Sequence, residues 1–279
     1  MLTLPPVCVV KSRSCYATFD FAMRPIFPAI FLLLCAVSPA FAVTPTDCAG
    51  KTEIAGANIV RVEKNGALIL NDGRAATLEG IRLPLNDGGP AALADDALNA
   101  LRALARAQPL TLTAIPPKED RYDRVRVQAF GDVWLQTELL RRGLARVALS
   151  SERSECVGDF YHAEKEARAA GRGLWAFPAF ALRNPASVTS LDEGKFVIVE
   201  GKVANGAIHD GRVFLDFSAD YSKGFSATIA PDDHANFRHT NPPPENLTGH
   251  VVRLRGVVED FDGKPEIGLS NPAQIEFVQ

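Results

Sequence analysis

Runs of β-branched and apolar residues, separated by turn-forming residues, alternate along this chain with apolar residues at helical spacing. Five runs in the first half are typical of strands, at residues 52–62, 67–70, 75–81, 110–115 and 125–130. Asn71-Asp-Gly73 separates the second run from the third and favours a tight hairpin turn. The pattern predicts a meander of three strands, followed later by two more.

Three segments have the apolar spacing of an amphipathic helix. The first begins at Pro90, a residue type favoured in the first helical turn, and ends before Pro109. The second spans residues 133–142 and ends at Gly143, which acts as a C-cap residue. The third spans residues 162–170. The first half of the chain is therefore expected to combine strands with three helices.

Strand-like periodicity returns after a segment rich in Pro, Asn, Ser and Thr. That segment, residues 179–192, is typical of a linker between domains 43–178 and 193–279. The candidate strands beyond it are residues 196–203, 212–217, 225–229, 251–258 and 275–278. A short helix is predicted at residues 231–237, after the third strand. Five strands with a helix after the third resemble an OB-fold barrel.

The N-terminus has the features of a secretory signal over residues 1–42. A cationic residue precedes the apolar run 26–37, which is too short to span a bilayer, and Ala40-Phe-Ala42 is a cleavage site. The signal fits a start at Met23 better than at the first residue. We expect a secreted or periplasmic protein without a transmembrane segment after cleavage. The alternatives are a buried N-terminal helix and a lipid anchor at Cys35.

Two cysteines, Cys48 and Cys156, follow the predicted signal. An even pair in an exported protein predicts a single disulfide bond. Two unrelated buried thiols are the alternative, and a thiol titration under denaturing conditions separates the two interpretations.

Composition and charge limit the kinds of partner. The 279 residues are 47% hydrophobic and 23% charged, as in ordinary globular proteins. Residues 43–178 contain 18 Lys and Arg against 18 Asp and Glu, whereas residues 179–279 contain 9 against 14. Affinity for nucleic acid depends mainly on phosphate neutralisation by Lys and Arg. An acidic second half therefore weakens a simple nucleic-acid-binding hypothesis, although a local basic face remains compatible with the count.

Two motifs resemble the staphylococcal nuclease (thermonuclease) family. They are the tyrosine–arginine turn Asp120-Arg-Tyr-Asp-Arg124 and the helix end Leu139-Leu-Arg-Arg-Gly-Leu-Ala-Arg-Val147. The order of elements over residues 53–178 is also similar to that family. The resemblance implies a mainly β fold with α-helices: a nuclease-like OB barrel with three helices, followed by a second, five-stranded OB-like barrel.

The same resemblance implies that the calcium-dependent hydrolytic site is degenerate. The family's metal-binding aspartates fall on Asn65 and Arg82, its glutamate on Leu85 and its first arginine on Thr77. Only the second arginine is retained, as Arg124. Because a cation at Arg82 opposes the binding of another cation, no metal ligand and no cofactor are expected.

Arg82, Tyr122 and Arg124 are instead candidates for an anion-binding site, since the planar guanidinium group binds phosphate through two parallel hydrogen bonds. Three functions follow. The first is non-catalytic binding of nucleic acid, another polyanion or an envelope protein. The second is a secreted nuclease with an unorthodox site that uses Arg82 and Arg124 with Glu79 or Asp123, with calcium as its cofactor. The third is a structural adaptor whose acidic second domain contacts a protein.

Aromatic residues mark the second and third predicted strands of the second domain. Phe214, Phe217, Tyr221 and Phe225 fall where OB-like domains stack bases. Phe214 and Phe217 are an odd number of residues apart, so one of them faces the interior. Core packing is the expected role of at least half of the four.

Overall fold

The computed structural model describes residues 43–220 and 224–278. The predicted signal sequence, with Met23 and Cys35, lies outside the described residues, as does Tyr221. The described residues fall within one compact unit, residues 40–279. We refer to residues 43–178 as the N-terminal domain and to residues 193–278 as the C-terminal domain.

The N-terminal domain has the predicted mixture of strands and helices. Its strands are β1 (Lys51–Ala57), β2 (Ile59–Val62), β3 (Leu68–Leu70), β4 (Ala75–Leu78), β5 (Ile81–Arg82), β6 (Leu110–Ala114), β7 (Val125–Phe130) and β8 (Arg146–Val147). Its helices are α1 (Ala91–Arg106), α2 (Leu135–Arg141) and α3 (Val157–Ala169). Six strands form one sheet in the order β1-β6-β7-β4-β3-β2, and β5 pairs with β8 separately. Only the β4–β7 pair of the six-stranded sheet is parallel.

The helices cover one core. Leu93, Ala97, Leu98 and Leu101 are buried along one face of α1, as the helical spacing predicts. The α2 helix ends where predicted: Gly143 has a φ of 68°, and the Leu144 amide donates to the Leu139 carbonyl at 2.8 Å. A residue with a side chain is strained in that backbone conformation, so glycine is the residue type that this helix end requires.

The strand predicted at residues 75–81 is shorter in the structure. Strand β4 ends at Leu78, and a turn at Glu79 and Gly80 separates it from β5. Gly80 has a φ of 85°, and a Cβ atom there would lie 2.5 Å from the Phe160 ring. The close approach of α3 to this turn therefore sets the end of the strand, which the strand-like run 75–81 does not reveal.

The C-terminal domain is a second β domain. Its strands are β9 (Phe196–Lys202), β10 (Asn205–His209), β11 (Arg212–Asp216), β12 (Ser226–Ile229), β13 (Val251–Phe261), β14 (Lys264–Gly268) and β15 (Ile275–Phe277). The predicted short helix is a 3-10 helix at Pro231–Phe237. The sheet order is β10-β11-β12-β14-β13-β15, with β9 on the long strand β13.

The predicted set of five strands needs a correction. Strands β10 and β14 were not predicted, and β14 lies between β12 and β13. The fifth predicted strand, residues 275–278, corresponds to β15, which pairs only with β13 among the strands described. Pro265 and Gly268 lie within β14, and both residue types disfavour a strand when only the sequence is considered.

The two domains share one pairing scheme. In the N-terminal domain, β2 pairs with β3, β3 with β4, and β4 runs parallel to β7, which pairs with β6 and through it with β1. The C-terminal domain repeats this as β10, β11, β12, β14, β13 and β9, again with one parallel pair, β12–β14. The predicted fold class, a nuclease-like α+β fold followed by a second β domain, is confirmed, and the repeated scheme supports describing the second domain as OB-like.

Polar groups connect the domains, although each has its own apolar core. The fully buried Arg255 side chain donates to the Glu164 carboxylate on α3 at 3.0 Å. Asn271 donates to the Ser150 carbonyl at 2.8 Å. The segment predicted as a linker, residues 179–192, contains 3-10 turns and buries Phe180 at its start. Contacts of this kind fix one relative arrangement of two β domains.

The disulfide bond between Cys48 and Cys156 is confirmed; it joins the start of the described chain to the first turn of α3. In the described part of the chain, no helix has the length and apolar character needed to cross a membrane.

Candidate anion-binding cleft

A cleft of about 810 Å³ opens between the first strands of the N-terminal domain and α1. The turn at residues 64–66, Thr77 on β4, Arg82 on β5 and Leu85 form one wall. Leu98 and Leu101 of α1 contribute to the other wall. Apolar, polar and charged side chains all line the cleft.

Four positions that the resemblance aligns with a hydrolytic site lie together in this cleft. Asn65, Thr77, Arg82 and Leu85 all line it, although they come from a turn, two strands and a loop. Arg124 is not among the lining residues. The structure therefore brings together the four substituted positions, and places the retained arginine elsewhere.

Arg82 is held in the cleft wall by a buried carboxylate. Its Nη2 and Nε atoms donate to the two Asp87 oxygens at 2.8 and 3.1 Å. The Asp87 side chain is fully buried, whereas 36% of the Arg82 side chain is exposed. Arg82 thus keeps part of its guanidinium surface available to a ligand.

Asp87 also accepts a hydrogen bond from Arg146, at 2.5 Å, and Arg146 is only 2% exposed. The other terminal nitrogen of Arg146 donates to the Phe196 carbonyl of the C-terminal domain at 2.8 Å. Its guanidinium lies 4.7 Å from the Phe196 ring centroid. Burial lowers the pKa of Arg146, and the nearby Asp87 charge opposes that shift. Two guanidinium groups share one carboxylate, so this network has a net positive charge.

Two further cations line the cleft. Lys64 lies on the turn and Arg102 on α1, and Arg102 donates to Asn99 at 2.9 Å. Neither is ion-paired with a carboxylate in the part of the chain that the structure describes. Asp95 is the single acidic residue of the lining. Lys64, Arg82, Arg102 and Arg146 outnumber the carboxylates Asp87 and Asp95, so the cleft wall is cationic.

Tyr122 and Arg124 lie on a turn organised by Asp120. One Asp120 oxygen accepts from the Tyr122 amide at 2.9 Å, and the other accepts from Arg124 Nε at 2.8 Å. Although burial raises the pKa of Asp120, the hydrogen bonds from Arg124 and the backbone outweigh it and lower that pKa. Tyr122 is 60% exposed, with the Arg124 guanidinium 5.1 Å from its ring centroid. Arg124 is therefore already neutralised by a carboxylate.

The carboxylates considered for an unorthodox hydrolytic site do not line the cleft. Glu79 is buried and accepts a hydrogen bond from the Ser150 hydroxyl at 2.8 Å. Burial raises its pKa, with Ser150 opposing. Asp123 occupies the turn at a φ of 58°. Within the described residues, one cluster has side chains at metal-binding spacing, Cys48, Cys156 and Asp159, and its two sulfurs are in the disulfide bond.

The predicted aromatic set divides between core and surface. Phe225 is buried, and Phe217 packs against it with ring centroids 5.4 Å apart. Phe214 is half-buried and lines a separate pocket of the C-terminal domain. The expectation that at least half of these aromatic residues pack in the core is confirmed.

A comparison with protein families gives one match. The family model described as staphylococcal nuclease homologue matches residues 90–177. This part of the chain is similar to that family. The match begins at α1 and includes the Tyr122–Arg124 turn and Gly143, whereas Asn65, Thr77, Arg82 and Leu85 precede it. The nuclease-like domain thus supplies the helical wall of the cleft and indicates a nuclease-related or nucleic-acid-binding function. The curated proteins contain no match to the chain.

Sequence reasoning missed several residues of the site. Arg102 was treated as part of an amphipathic helix, and Arg146 as part of a family motif. Arg146 lies 59 residues from Asp87, and no local pattern indicates that they meet. The helical spacing of Asp95 and Arg102 on α1 is the one signal that could have placed charges at the edge of a cleft.

Proposed function

We propose that the N-terminal domain binds a phosphate-bearing polyanion, with single-stranded nucleic acid as the first candidate, in the cleft between the first strands and α1. It does so without calcium-dependent hydrolysis. The observation that carries the proposal is the charge of the cleft: Lys64 and Arg102 have no ion pair among the described residues, Arg82 shares Asp87 with Arg146, and Asp95 is the one acidic residue of the lining. Phosphate neutralisation by such cations is the main source of affinity for nucleic acid.

Arg82 is the central cation of the proposal. Asp87 fixes its orientation from below, and the exposed third of the side chain faces the cleft. A fixed guanidinium loses little conformational entropy when it binds phosphate, and its planar shape matches two phosphate oxygens. Lys64, on the turn, and Arg102, on α1, line the same cleft, so one polyanion can contact both.

The absence of hydrolysis follows from the same charges. Calcium is bound by several oxygen ligands, predominantly carboxylates. Asp95 supplies the only carboxylate among the described lining residues, and Arg82 places a positive charge where the resemblance expects a metal ligand. A divalent cation is repelled from this wall, whereas a phosphate is attracted.

Salt-dependent binding of single-stranded DNA tests the proposal. The slope of log K against log salt is about −0.7 per neutralised phosphate for single strands. The double variant Lys64→Ala/Arg102→Ala is therefore expected to reduce the slope by about 1.4 and to weaken binding at low salt. Arg106→Ala is the matched control, since Arg106 is exposed on the same helix and does not line the cleft. Equal losses in the control and the double variant would reject this cleft as the binding site.

Nuclease activity is the second candidate function, because the matched family is a nuclease family. Plasmid and RNA digestion with calcium separates the two functions when wild type and Arg124→Ala are compared. We expect no cleavage that depends on Arg124, since that side chain is paired with Asp120. Robust cleavage that Arg124→Ala abolishes would establish an enzyme.

A further inference from the structure

Phe196 of the C-terminal domain contacts both arginines of the cleft wall. It is the first residue of β9 and is only 7% exposed. Its ring centroid lies 5.6 Å from the Arg82 guanidinium carbon and 4.7 Å from that of Arg146. Its carbonyl oxygen accepts a hydrogen bond from Arg146 at 2.8 Å. One residue of the second domain therefore supports the wall of a cleft that the first domain forms.

This contact offsets a repulsion between the two arginines. Arg82 on β5 and Arg146 on β8 are directly opposed in the antiparallel pair. Like charges at such positions destabilise a strand pair. Asp87 supplies one negative charge for the two guanidinium groups. The carbonyl oxygen of Phe196 and the negative face of its ring supply further compensation, and both belong to the other domain.

Arg82 has one bound edge and one free nitrogen. Its Nε and Nη2 atoms donate to Asp87 at 3.1 and 2.8 Å. Its Nη1 atom has no acceptor among the residues that the structure describes. The side chain is 36% exposed and lines the cleft. Nη1 is thus the donor that remains for a phosphate oxygen.

Asp87 and the Phe196 ring constrain Arg82 in different ways. The carboxylate binds one edge of the planar guanidinium group, and bonds to one edge leave the plane free to tilt about it. A ring within cation–π distance favours one tilt, because the attraction weakens when the guanidinium moves away from the ring. Phe196 therefore limits the directions in which Nη1 of Arg82 points.

The linker adds a second contact of this kind. Phe180 is 2% exposed, and its ring centroid lies 5.1 Å from the Arg146 guanidinium carbon. A Cβ atom on Gly89 would lie 2.4 Å from the Phe180 ring, so the linker packs closely against the segment just before α1. Because α1 forms the other wall, the packing of the linker and the C-terminal domain reaches both walls of the cleft.

We propose that Phe196 is a positioning residue of the polyanion site, so that the cleft has its full affinity only when the C-terminal domain is docked on the N-terminal domain. This inference rests on the function proposed above for the cleft. Since Phe196 does not line the cleft, it acts through Arg82 and not on the ligand. By linkage, a polyanion in the cleft stabilises the docked arrangement by the same factor.

Binding of single-stranded DNA by the Phe196→Leu variant tests this role on the full chain. Leucine keeps the carbonyl acceptor and an apolar side chain but removes the ring. Affinity at low salt should fall about twofold to fivefold. The slope of log K against log salt should stay unchanged, because Arg82 keeps its charge, whereas Arg82→Gln should reduce that slope by about 0.7. Phe196→Met, whose unbranched side chain adapts to the same space, is the second variant if Phe196→Leu does not fold.

A double variant separates positioning from general destabilisation. Phe196→Leu/Arg82→Gln should bind DNA like Arg82→Gln alone, because the ring has no guanidinium left to orient in the cleft. Phe237→Leu is the matched control. Phe237 is 5% exposed in the core of the C-terminal domain, and its replacement should leave DNA binding like that of wild type.

The outcomes distinguish this inference from the proposed function. If wild type binds DNA but the Phe196 variants bind equally well, the cleft is a polyanion site and the positioning role is wrong. Equal weakening by Phe237→Leu, or a further loss when Phe196→Leu is added to Arg82→Gln, would also overturn that role alone. Absence of DNA binding by wild type at low salt would reject the proposed function and this inference with it.

Discussion

Asp87 holds together the cleft wall and the boundary between the two domains, and the Asp87→Asn variant tests this role. The substitution keeps the size of the side chain and removes its charge. Arg82 and Arg146 then lose the carboxylate that accepts from both. The amide nitrogen that replaces one carboxylate oxygen is itself a donor and lies opposite a guanidinium group. The structure offers no other carboxylate, among the described residues, within ion-pair distance of either arginine.

The expected magnitude depends on which arginine can reach water. Arg82 is 36% exposed and can turn into the cleft, so its ion pair falls in the surface range of about 0–1 kcal/mol. Arg146 is 2% exposed and cannot do so. Removing one partner of a buried pair costs about 3–5 kcal/mol. Because Arg82 can turn into water, only Arg146 is left as an unpaired buried charge. We therefore expect a loss near the lower end of this range, about 3 kcal/mol in the free energy of unfolding.

Equilibrium urea denaturation at neutral pH, with the disulfide bond intact, measures this loss. With a slope of about 2–3 kcal/mol per molar urea, the midpoint should fall by about 1 M. Asp95→Asn is the matched control, since Asp95 is exposed and has no ion pair in the described structure, and it should change stability by no more than about 0.5 kcal/mol.

A second substitution separates charge from packing. Adding Arg146→Met to Asp87→Asn removes the unpaired buried cation, and a hydrophobic replacement of a buried ion pair is often neutral. The double variant should therefore recover part of the lost stability. A loss below about 1 kcal/mol for Asp87→Asn, or a double variant less stable than the single one, would refute the assigned role.

Three further outcomes are expected. Replacing Cys48 and Cys156 by serine opens a loop with a sequence separation of 108 and should lower the free energy of unfolding by about 4–5 kcal/mol in the chain-entropy model; thermal melting that matches wild type would contradict this. Gly80→Ala places a Cβ atom against Phe160 at a φ of 85° and should cost about 2 kcal/mol, whereas Gly73→Ala, which meets no neighbouring atom, should cost less in the same denaturation experiment. Burial raises the folded-state pKa of Glu79 above its ordinary 4.5, so the native state binds the proton more tightly and stability falls as pH rises from 4.5 through the folded pKa. Glu79→Gln should remove that decline, and stability–pH curves that run parallel for variant and wild type would disprove it.

Local rules explain which elements the sequence predicted. Pro90 and Gly143 act through their own backbone geometry, so the start of α1 and the end of α2 are determined within a few residues. The disulfide bond is predicted because Cys48 and Cys156 are the two cysteines that follow the predicted signal. Strand β14 is not predicted, because Pro265 and Gly268 disfavour a strand, and its parallel pairing with β12 joins residues about forty positions apart.

The candidate sites show the same division. The resemblance identified Asn65, Thr77, Arg82 and Leu85, and the cleft brings them together. It also suggested that Arg82 and Arg124 form one anion site, whereas the two arginines have separate carboxylate partners, Asp87 and Asp120. Charge counting showed that the second half of the chain is acidic but not that Glu259 and Glu266 face each other on adjacent strands.

The sequence by itself determined most of the elements, the charge of each half, the disulfide pair and the substitutions at the hydrolytic positions, because each depends on residue type or short-range spacing. The tertiary structure decided which charges meet. Coulomb energies depend on distance and burial, and both are set by strand pairing between residues far apart in the chain. Arg82 and Arg146 therefore meet at Asp87 because β5 pairs with β8, which lies far from it along the chain.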